Sequence, residues 1–456
     1  MLGSFAAIRI LSLVCVLAFA VFIPIERACA QFKSLYSFTG KADGEYPEAG
    51  LTYDSGTFYG TTFGALGKVD VPGKHCAKSC GNGNMYGYVN GDKNIVPLYS
   101  FKAGNSDGAF PADELFIQNN TLNGTTEYGG GTTCGGLGCG TVFSLQAGGK
   151  TDTVITFCTD DFPHCTNGAV PHAGLIGDSA GNFYGTTTLG GVPLFGPFCD
   201  SDIGGCGTVY EISSPLTKKS VPQILYSFCS KSQCADGAIP YGRLLRDNAG
   251  NLYGTTEFGG MYSNGTVFKL APNGTETVLY SFCQQANCAD GSVPEAGLAA
   301  DASGNLYGTT TYGGDSTCDS FGCGVVFELT FSNDAYTYRM LYAFQGDGAM
   351  DGAFPQAQLT LDSAGNLYGT TLRGGGTKMV CPDFGCGTVF SIPSGGNESV
   401  LYAFGQLPKH ADGSHPEGAL LSINDGYLYG ATRDGGDPIC ECGILFKLDL
   451  AGAAPR

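Results

Sequence analysis

Short runs of alternating hydrophobic and polar residues recur along the chain, and glycine, proline or aspartate separates one run from the next. Residues 242–247, 251–256, 265–270 and 278–282 form one set of four such runs. Alternation with a period of two, in segments rich in Val, Thr, Tyr and Phe, predicts β-strands. The segments between them carry Asp-x-x-Gly and Pro-Asn-Gly, whose residues favour tight hairpin turns. The pattern therefore predicts a unit of four antiparallel strands.

This four-stranded unit recurs seven times, and Tyr-Gly-Thr-Thr marks its second strand. The intact copies begin at Tyr59, Tyr184, Tyr253, Tyr307 and Tyr368, and degenerate copies occupy residues 123–126 and 429–432. The step from one copy to the next is 54 to 69 residues. A period of this size, with four short strands in each unit, is typical of the blades of a β-propeller.

The two ends of the repeated region carry incomplete units. Residues 35–38 match a fourth strand with no unit before it, and residues 443–448 match a third strand with no fourth strand after it. Pairing of these ends would complete the seventh blade and remove the free edges of an open stack. We therefore predict an all-β, seven-bladed β-propeller closed by pairing of the N-terminal strand into the last blade. The predicted blades are 47–101, 111–157, 171–228, 240–282, 294–344, 355–404, and 416–448 together with 32–38.

Residues 1–30 have the features of a signal peptide. Arg9 precedes an apolar run over residues 10–25, and Ala28-Cys29-Ala30 provides a small-residue cleavage site. The alternative is an N-terminal anchor that is retained. We expect removal of residues 1–30, a single propeller domain over 31–456, no membrane span after signal removal, and an extracytoplasmic location: secreted, periplasmic or at the cell surface.

The cysteines support export independently. The 18 cysteines that follow the signal segment fall into nine neighbouring pairs, all in the loops after Thr-Thr or after the fourth strand. The pairs are Cys76/Cys80, Cys134/Cys139, Cys158/Cys165, Cys199/Cys206, Cys229/Cys234, Cys283/Cys288, Cys318/Cys323, Cys381/Cys386 and Cys440/Cys442. Nine short disulfides on one face of the propeller are the simplest interpretation. Zinc is the alternative, but it needs four ligands and these pairs are scattered over different repeats. Cys440/Cys442 is the weakest candidate because a one-residue gap strains a disulfide.

Charge restricts the range of partners. The chain has 23 basic and 41 acidic residues, and an acidic surface repels phosphate backbones. We therefore expect no nucleic-acid partner. The chain has no Trp, so stacking on a sugar would fall to Tyr or Phe. We expect a monomer without a cofactor or metal ion.

The full repeat, Gly-Asn-Leu-Tyr-Gly-Thr-Thr, Gly-Gly, Gly-Thr-Val-Phe, Leu-Tyr-Ser-Phe and Asp-Gly-x-x-Pro, resembles the GloVer tandem repeat of exported bacterial proteins. The resemblance covers residues 32–448, although residues 54–58 and 118–122 depart from the pattern. It implies a secreted or surface-anchored repeat protein without an assigned activity, and it supplies no catalytic residues. The Asp-x-x-Gly-Asn-Leu-Tyr hairpin is also similar to propellers of the NHL type, which by analogy places the Pro-x-x-Gly-Leu strand innermost.

Candidate functional residues lie at positions that are flanked by repeated motifs but differ from one repeat to the next. Directly after the repeated proline the residues are Glu48, Ala112, His172, Tyr241, Glu295, Gln356 and Glu417. Two positions after Thr-Thr they include Tyr128, Phe258, Tyr312, Arg373 and Asp434, with Arg433 beside the last. Both positions are expected around the channel mouth, where they would form a binding funnel. The alternative is that they are solvated rim residues.

An aspartate ring is the other repeated polar feature. It comprises Asp43, Asp107, Asn167, Asp236, Asp290, Asp351 and Asp412, and each of these residues precedes Gly in a turn. It could be a cation or sugar site, but a hydrogen bond that holds the loop is the simpler interpretation.

Three functions remain open from the sequence. The first is a non-catalytic binding or scaffold module for a glycan or surface protein, with no catalytic residues. The second is a glycan-active hydrolase or lyase that uses the funnel carboxylates with His172. The third is a purely structural surface repeat. Two of Glu48, Glu295 and Glu417 facing each other across roughly 5–10 Å would favour the enzyme.

Overall fold

The structure is a computed structural model of the chain. This structure describes residues 31–64, 81–104, 107–111, 113–146, 150–158, 164–192, 198–199, 204–214, 216–217, 220–314, 318, 321–346, 351–376, 381 and 385–452. The predicted signal peptide (1–30), Cys76, Cys80 and Ala112 lie outside these residues. No helix among the described residues has the length and hydrophobicity needed to cross a membrane.

The described strands form seven antiparallel sheets, one for each predicted blade, and this confirms the all-β, seven-bladed propeller. The strands of blade 1 are Thr52–Asp54, Thr57–Thr62, Asn84–Val89 and Ile95–Ser100. Those of blade 2 are Phe116–Gln118, Thr121–Thr126, Thr141–Gln146 and Lys150–Thr156. Those of blade 3 are Ile176–Gly177, Phe183–Thr187, Thr208–Ile212 and Gln223–Ser227. In blades 4 and 5 they are Ala238–Pro240, Leu245–Arg246, Leu252–Phe258, Thr266–Leu270 and Glu276–Ser281; and Ala299–Ala300, Leu306–Thr310, Val325–Ser332 and Ala335–Ala343. In blades 6 and 7 they are Thr360–Leu361, Leu367–Thr371, Thr388–Ile392 and Ser399–Ala403; and Leu421–Ser422, Tyr427–Thr432, Ile444–Asp449 and Gln31–Ser37.

Among the described residues, two further strand pairs and three 3₁₀ turns lie in the connections, and a fourth 3₁₀ turn follows the last strand. The pairs are Gly108–Ala109 with Tyr128–Gly129 and Gly352–Ala353 with Arg373–Gly374; the turns are Ser232–Cys234, Ala286–Cys288, Pro408–His410 and Leu450–Gly452. Because the strands of a blade alternate in direction, the loops after the second and the fourth strand emerge on the same face.

The ring closes where the sequence predicts. Gln31–Ser37 pairs antiparallel with Ile444–Asp449, from Gln31 opposite Asp449 to Ser37 opposite Ile444. The Phe32 ring stacks on Tyr402 of the preceding blade, with ring centroids 4.4 Å apart. The N-terminal strand therefore supplies the outer strand of blade 7 and packs against blade 6.

The glycine of Tyr-Gly-Thr-Thr leaves room for an aromatic side chain of the third strand. A Cβ atom on Gly254 would lie 2.7 Å from Phe268 Cζ and 3.1 Å from Leu244 Cδ2. Phe268 is fully buried in the core between blades. The repeat therefore requires glycine here because the core occupies the space of a side chain.

The two threonines of the same motif fasten the propeller within and between blades. The Thr256 hydroxyl donates to the Phe258 carbonyl at 2.9 Å and lies 2.8 Å from the Thr266 hydroxyl in the third strand. The Thr255 hydroxyl donates to the Ala296 carbonyl of blade 5 at 2.8 Å. These contacts account for Thr-Thr as a structural element.

The aspartate ring holds the loops after the fourth strands. Asp290 is fully buried and accepts hydrogen bonds from the Tyr280 hydroxyl at 2.7 Å and from the backbone amides of Gln284 and Gln285 at 3.0 Å. Asp43, Asp107, Asp236, Asp351 and Asp412 accept the same kinds of bonds. Each carboxylate is thus occupied by its own loop, as the simpler interpretation expects.

Eight of the nine predicted cysteine pairs are joined as disulfides. They are Cys134–Cys139, Cys158–Cys165, Cys199–Cys206, Cys229–Cys234, Cys283–Cys288, Cys318–Cys323, Cys381–Cys386 and Cys440–Cys442. The sulfur atoms of the first two bridges lie within 4.8 Å of one another. All eight bridges lie in the two loop classes that share a face, so this face is cross-linked while the opposite face carries short hairpins.

We expect that replacing both Cys229 and Cys234 by Ala will lower the free energy of unfolding by about 2 kcal/mol, the entropy term for a loop of this length. Urea unfolding of the oxidised protein measures the loss. The matched change at Cys440 and Cys442, which are two positions apart, should cost less because the loop is shorter. Equal stability of the Cys229/Cys234 variant and the parent would contradict the prediction.

Candidate functional site

A cavity of about 160 Å³ occupies the centre of the propeller and is lined by the inner segments of all seven blades. Six of the predicted funnel residues lie in its wall: Glu48, His172, Tyr241, Glu295, Gln356 and Glu417. They belong to six different blades. The position directly after the repeated proline therefore faces the channel axis, and residues from distant parts of the sequence meet around one space.

Close packing of the inner segments keeps this cavity small. A Cβ atom on Gly242 would lie 2.5 Å from the backbone of Ala296 and Gly297 in the next blade. A Cβ atom on Gly418 would likewise lie 2.6 Å from the Ala49 carbonyl oxygen. Small residues at this position let neighbouring backbones touch, so only the flanking polar side chains enter the channel.

The side of the cavity at blades 7 and 1 is an ion-pair network around Arg433. Arg433 Nη1 donates to Glu417 Oε1 at 2.8 Å, and Arg433 Nε lies 3.4 Å from Glu48 Oε1. Asp434 lies 3.9 Å from Arg433 Nε and contacts His415 Nδ1 at 2.9 Å. Burial would lower the pKa of Arg433, but the carboxylates of Glu417, Glu48 and Asp434 together raise it. Glu48 and Glu417 thus share one guanidinium group.

A second group joins blades 2, 3 and 4. His172 Nε2 lies 3.3 Å from Glu127 Oε1, and the His172 and Tyr241 rings contact each other at a tilt of 31°, with centroids 3.7 Å apart. Burial raises the pKa of Tyr241 well above its usual value, and nearby carboxylates, Glu127 and Glu295 among them, raise it further. Tyr241 is therefore a neutral phenol at physiological pH.

The side at blades 4 to 6 is acidic and has no cation among the described contacts. Glu295 Oε2 accepts hydrogen bonds from the Thr311 hydroxyl at 2.7 Å and from Gln356 Nε2 at 2.8 Å. Burial raises the pKa of Glu295. Burial and the neighbouring Glu295 raise the pKa of Glu257 from 4.5 to about 7. These two carboxyl groups interact without a positive charge between them.

An ion pair joins blades 2 and 4 past blade 3, two residues farther along the inner segments. Arg243 Nη1 donates to Glu114 Oε2 at 2.7 Å, and its Nε and Nη2 donate to the Leu175 carbonyl at 3.2 and 2.9 Å. Gln358 lies at the same level and donates to the Leu298 carbonyl at 2.9 Å. Two residues of extended chain span roughly 7 Å, so this layer forms the floor of the cavity below the first ring.

The other predicted funnel residues do not line the cavity. Tyr128 packs on Phe110, Phe258 on Phe198 and Tyr312 on Phe354, with ring centroids 5.9, 5.8 and 5.5 Å apart. Arg373 lies in a short strand paired with Gly352–Ala353, and Asp434 contacts His415. Of this second group, Arg433 contacts the cavity-wall residues Glu48 and Glu417 directly.

Two sets of residues at the site were missed by the sequence reasoning. Glu127, Glu257 and Thr311 directly follow Thr-Thr, one position before the residues that the reasoning selected. Strand alternation puts neighbouring residues on opposite sides, so this parity could have identified them. The floor residues Glu114, Arg243 and Gln358 replace the small residue that other repeats carry at the same position, which is a second usable signal.

We expect Glu257→Gln to raise the free energy of unfolding by about 1–3 kcal/mol near pH 8. The pKa of Glu257 is higher in the folded chain than in the unfolded chain, so the folded state carries the cost of the charge above about pH 7. That cost disappears as the pH falls toward 4.5, and the benefit of the substitution should vanish with it. Thermal unfolding across this range measures the effect, with Glu211→Gln outside the cavity as control. A variant that is no more stable at about pH 8 than the parent would refute it.

The chain was compared with protein families, curated proteins and solved structures. The family model of the Gloeobacter/Verrucomicrobia repeat matches residues 193–446. No curated protein matches the chain.

Solved structures with similarity to the chain include three with low sequence identity. They are a gluconolactonase from Xanthomonas campestris (14% identity, 76% of this chain and 87% of that chain, TM-score 0.41), a luciferin-regenerating enzyme (12%, 92% and 95%, TM-score 0.40) and TolB from Acinetobacter baumannii (11%, 86% and 79%, TM-score 0.38). At these values the likenesses add nothing to the description of the site.

Proposed function

The chain belongs to the Gloeobacter/Verrucomicrobia repeat family, and from this premise we propose that it is an exported, non-catalytic binding module whose channel takes one end of a glycan. The observation that carries the proposal is the ring of unlike polar side chains around one cavity. Packing alone would favour seven similar residues, whereas carboxylates, an imidazole, a phenol and an amide suit a ligand with several hydroxyl groups.

The size of the cavity limits what can enter. Pockets for drug-sized ligands have roughly 300–1,000 Å³, whereas this cavity has about 160 Å³. The Arg243–Glu114 ion pair adds to the wall two residues farther along the inner segments. The cavity therefore suits a terminal sugar ring, with the rest of the glycan lying across the cross-linked face.

Export is supported by two features. Residues 1–30 have the pattern of a signal peptide, and eight disulfides fit an oxidising compartment outside the cytoplasm. Short disulfides also hold the loops around the cavity, which reduces the ordering cost of binding.

A glycan array probed with the protein from residue 31 onward, followed by calorimetry on the retained glycans, tests the proposal. We expect binding that falls by about tenfold or more in Glu295→Gln, because Glu295 lines the cavity. Lys447→Met, outside the cavity wall, should bind as the parent does. Retention of no glycan, or capture of a surface protein with no glycan bound, would overturn the proposal.

Glycan hydrolysis is the second candidate, and it is favoured by the pKa of about 7 for Glu257 beside Glu295. One carboxyl with a pKa near neutrality next to a second carboxyl is the arrangement of a general acid and its partner. Glu48 and Glu417 are less suited because Arg433 stabilises their charged forms. Release of new reducing ends from bound glycans, lost in Glu257→Gln, would replace binding by catalysis as the conclusion.

A further inference from the structure

We infer that the cavity selects a glycan end with a free, protonated amino group, which binds between Glu257 and Glu295 beside Tyr241. This inference rests on the proposed function and names the chemical class of the ligand: an amino sugar that is not N-acetylated. It is carried by the distribution of charge around the cavity and by acceptor groups that the protein itself leaves unused.

The cavity has an excess of negative charge. Seven carboxyl groups lie in its wall or directly behind it, against the two guanidinium groups of Arg243 and Arg433. The carboxyl groups are those of Glu48, Asp113, Glu114, Glu127, Glu257, Glu295 and Glu417. A confined space with one sign of charge and low-dielectric walls concentrates ligands of the opposite sign.

The positive groups of the site are already engaged elsewhere. Arg433 pairs with Glu48 and Glu417, and Arg243 pairs with Glu114. His172 lies against Glu127. Glu257 and Glu295, on the side of blades 4 to 6, have no cation partner among the described residues.

Glu257 and Glu295 have acceptor capacity to spare. The described partners of Glu295 are the neutral side chains of Thr311 and Gln356. Within the described parts of the chain, the carboxyl group of Glu257 forms no hydrogen bond or ion pair. The raised pKa values of both groups have burial as their main cause and no nearby cation to offset it.

Tyr241 adds a second, independent feature that points to a ligand. It lines the cavity and is partly exposed, and its hydroxyl makes no hydrogen bond to any described residue. A phenol hydroxyl in a cavity wall that no protein group uses can donate a hydrogen bond to a ligand or accept one from it. Its ring also offers a π-face, which attracts cations.

A primary ammonium group fits these acceptors better than a metal ion does. An ammonium group carries three N–H donors, and Glu257, Glu295 and Tyr241 supply three acceptors. A divalent ion needs several ligand atoms that converge on one point. Among the described residues, only cysteine sulfurs form such groups of three or more, and these cysteines are disulfide-bonded.

The test compares two ligands that differ only at nitrogen: a tetramer of glucosamine and the same tetramer fully N-acetylated. Calorimetry slightly below neutral pH should show that the glucosamine tetramer binds at least about tenfold more tightly, which is the gain expected from one charge-assisted contact. The Glu257→Gln/Glu295→Gln double variant should lose this preference. Glu211→Gln, which removes the same type of charge away from the cavity, should keep it.

The outcomes separate the inference from the proposed function. Equal binding of the two tetramers, or a preference for the acetylated one, would overturn the ammonium site while leaving glycan binding in place. Failure of the protein to bind any glycan on the array would overturn both. Because Glu→Gln changes preserve side-chain shape, thermal unfolding checks that the double variant is folded, and Tyr241→Phe provides a milder variant with a smaller expected loss.

Discussion

A chain that starts at residue 40, without the N-terminal strand, should fail to fold into a cooperative, soluble propeller. Phe38 is fully buried, and loss of such a side chain alone costs about 3–5 kcal/mol. The truncation also removes the ladder between Gln31–Ser37 and Ile444–Asp449 and the stacking of Phe32 on Tyr402. Total stability of a domain is only about 5–15 kcal/mol, so these losses should exceed it. Circular dichroism and urea unfolding should show no sharp transition.

A circular permutant is the decisive control for this truncation. Residues 31–38 are moved to the C-terminal end through a flexible linker, so that all four strands of blade 7 are contiguous. The same contacts are then available, and we expect the sharp unfolding transition to return. Cooperative folding of the truncated chain would mean that the ring does not depend on the closing strand. Failure of the permutant would mean that the contacts of this strand are not sufficient to explain the loss.

Closure of the ring was predictable from the sequence because the repeated region begins and ends partway through the four-strand unit. A fourth-strand motif at residues 35–38 and a third-strand motif at 443–448 have no partner in their own repeat, so only each other remains. Blades 1 and 2, whose hairpins depart from the repeat, still pair in the same register as the others. The periodic β-pattern was therefore sufficient even where the motif was degraded.

The site was predictable only in part, and the reason lies in side-chain direction. The position after proline was found because its residues vary, and the structure places six of them in one cavity wall. The choice two positions after Thr-Thr selected Tyr128, Phe258 and Tyr312, which pack on other aromatic rings. Variation alone does not distinguish a side chain that faces the axis from its neighbour that faces a loop.

The pairing of charged side chains around the channel could not be predicted from the sequence. Nothing in the spacing indicates that Arg433 would lie between Glu48 and Glu417, which are 369 positions apart in the chain. Nor does it indicate that Glu257 and Glu295 would remain without a cation. These facts depend on how neighbouring blades are juxtaposed, and they decide which carboxylates are available to a ligand.

The second large expected effect is a loss of stability when Arg433 is removed from its ion-pair network. Arg433→Met should lower the free energy of unfolding by about 3–5 kcal/mol at neutral pH, because it leaves Glu48 and Glu417 charged, poorly solvated and close together. The side chains of Glu48 and Glu417 are only 8% and 19% exposed. Lys447→Met, in the third strand of the same blade, removes a cation that contacts an aromatic ring and should cost less than about 1 kcal/mol. Urea unfolding of both variants measures the difference.

Neutralising the two carboxylates should rescue the variant. In Glu48→Gln/Glu417→Gln/Arg433→Met no charge remains to be compensated, and most of the lost stability should return. Acidification should act in the same direction, because protonation removes the charge of the two carboxylates that Arg433 no longer compensates. The cost to Arg433→Met is then present at neutral pH and fades as the pH falls toward about 4, the range of an unfolded glutamate. If the triple variant is as unstable as Arg433→Met, the packing of the arginine stem, not its charge, holds blades 7 and 1 together.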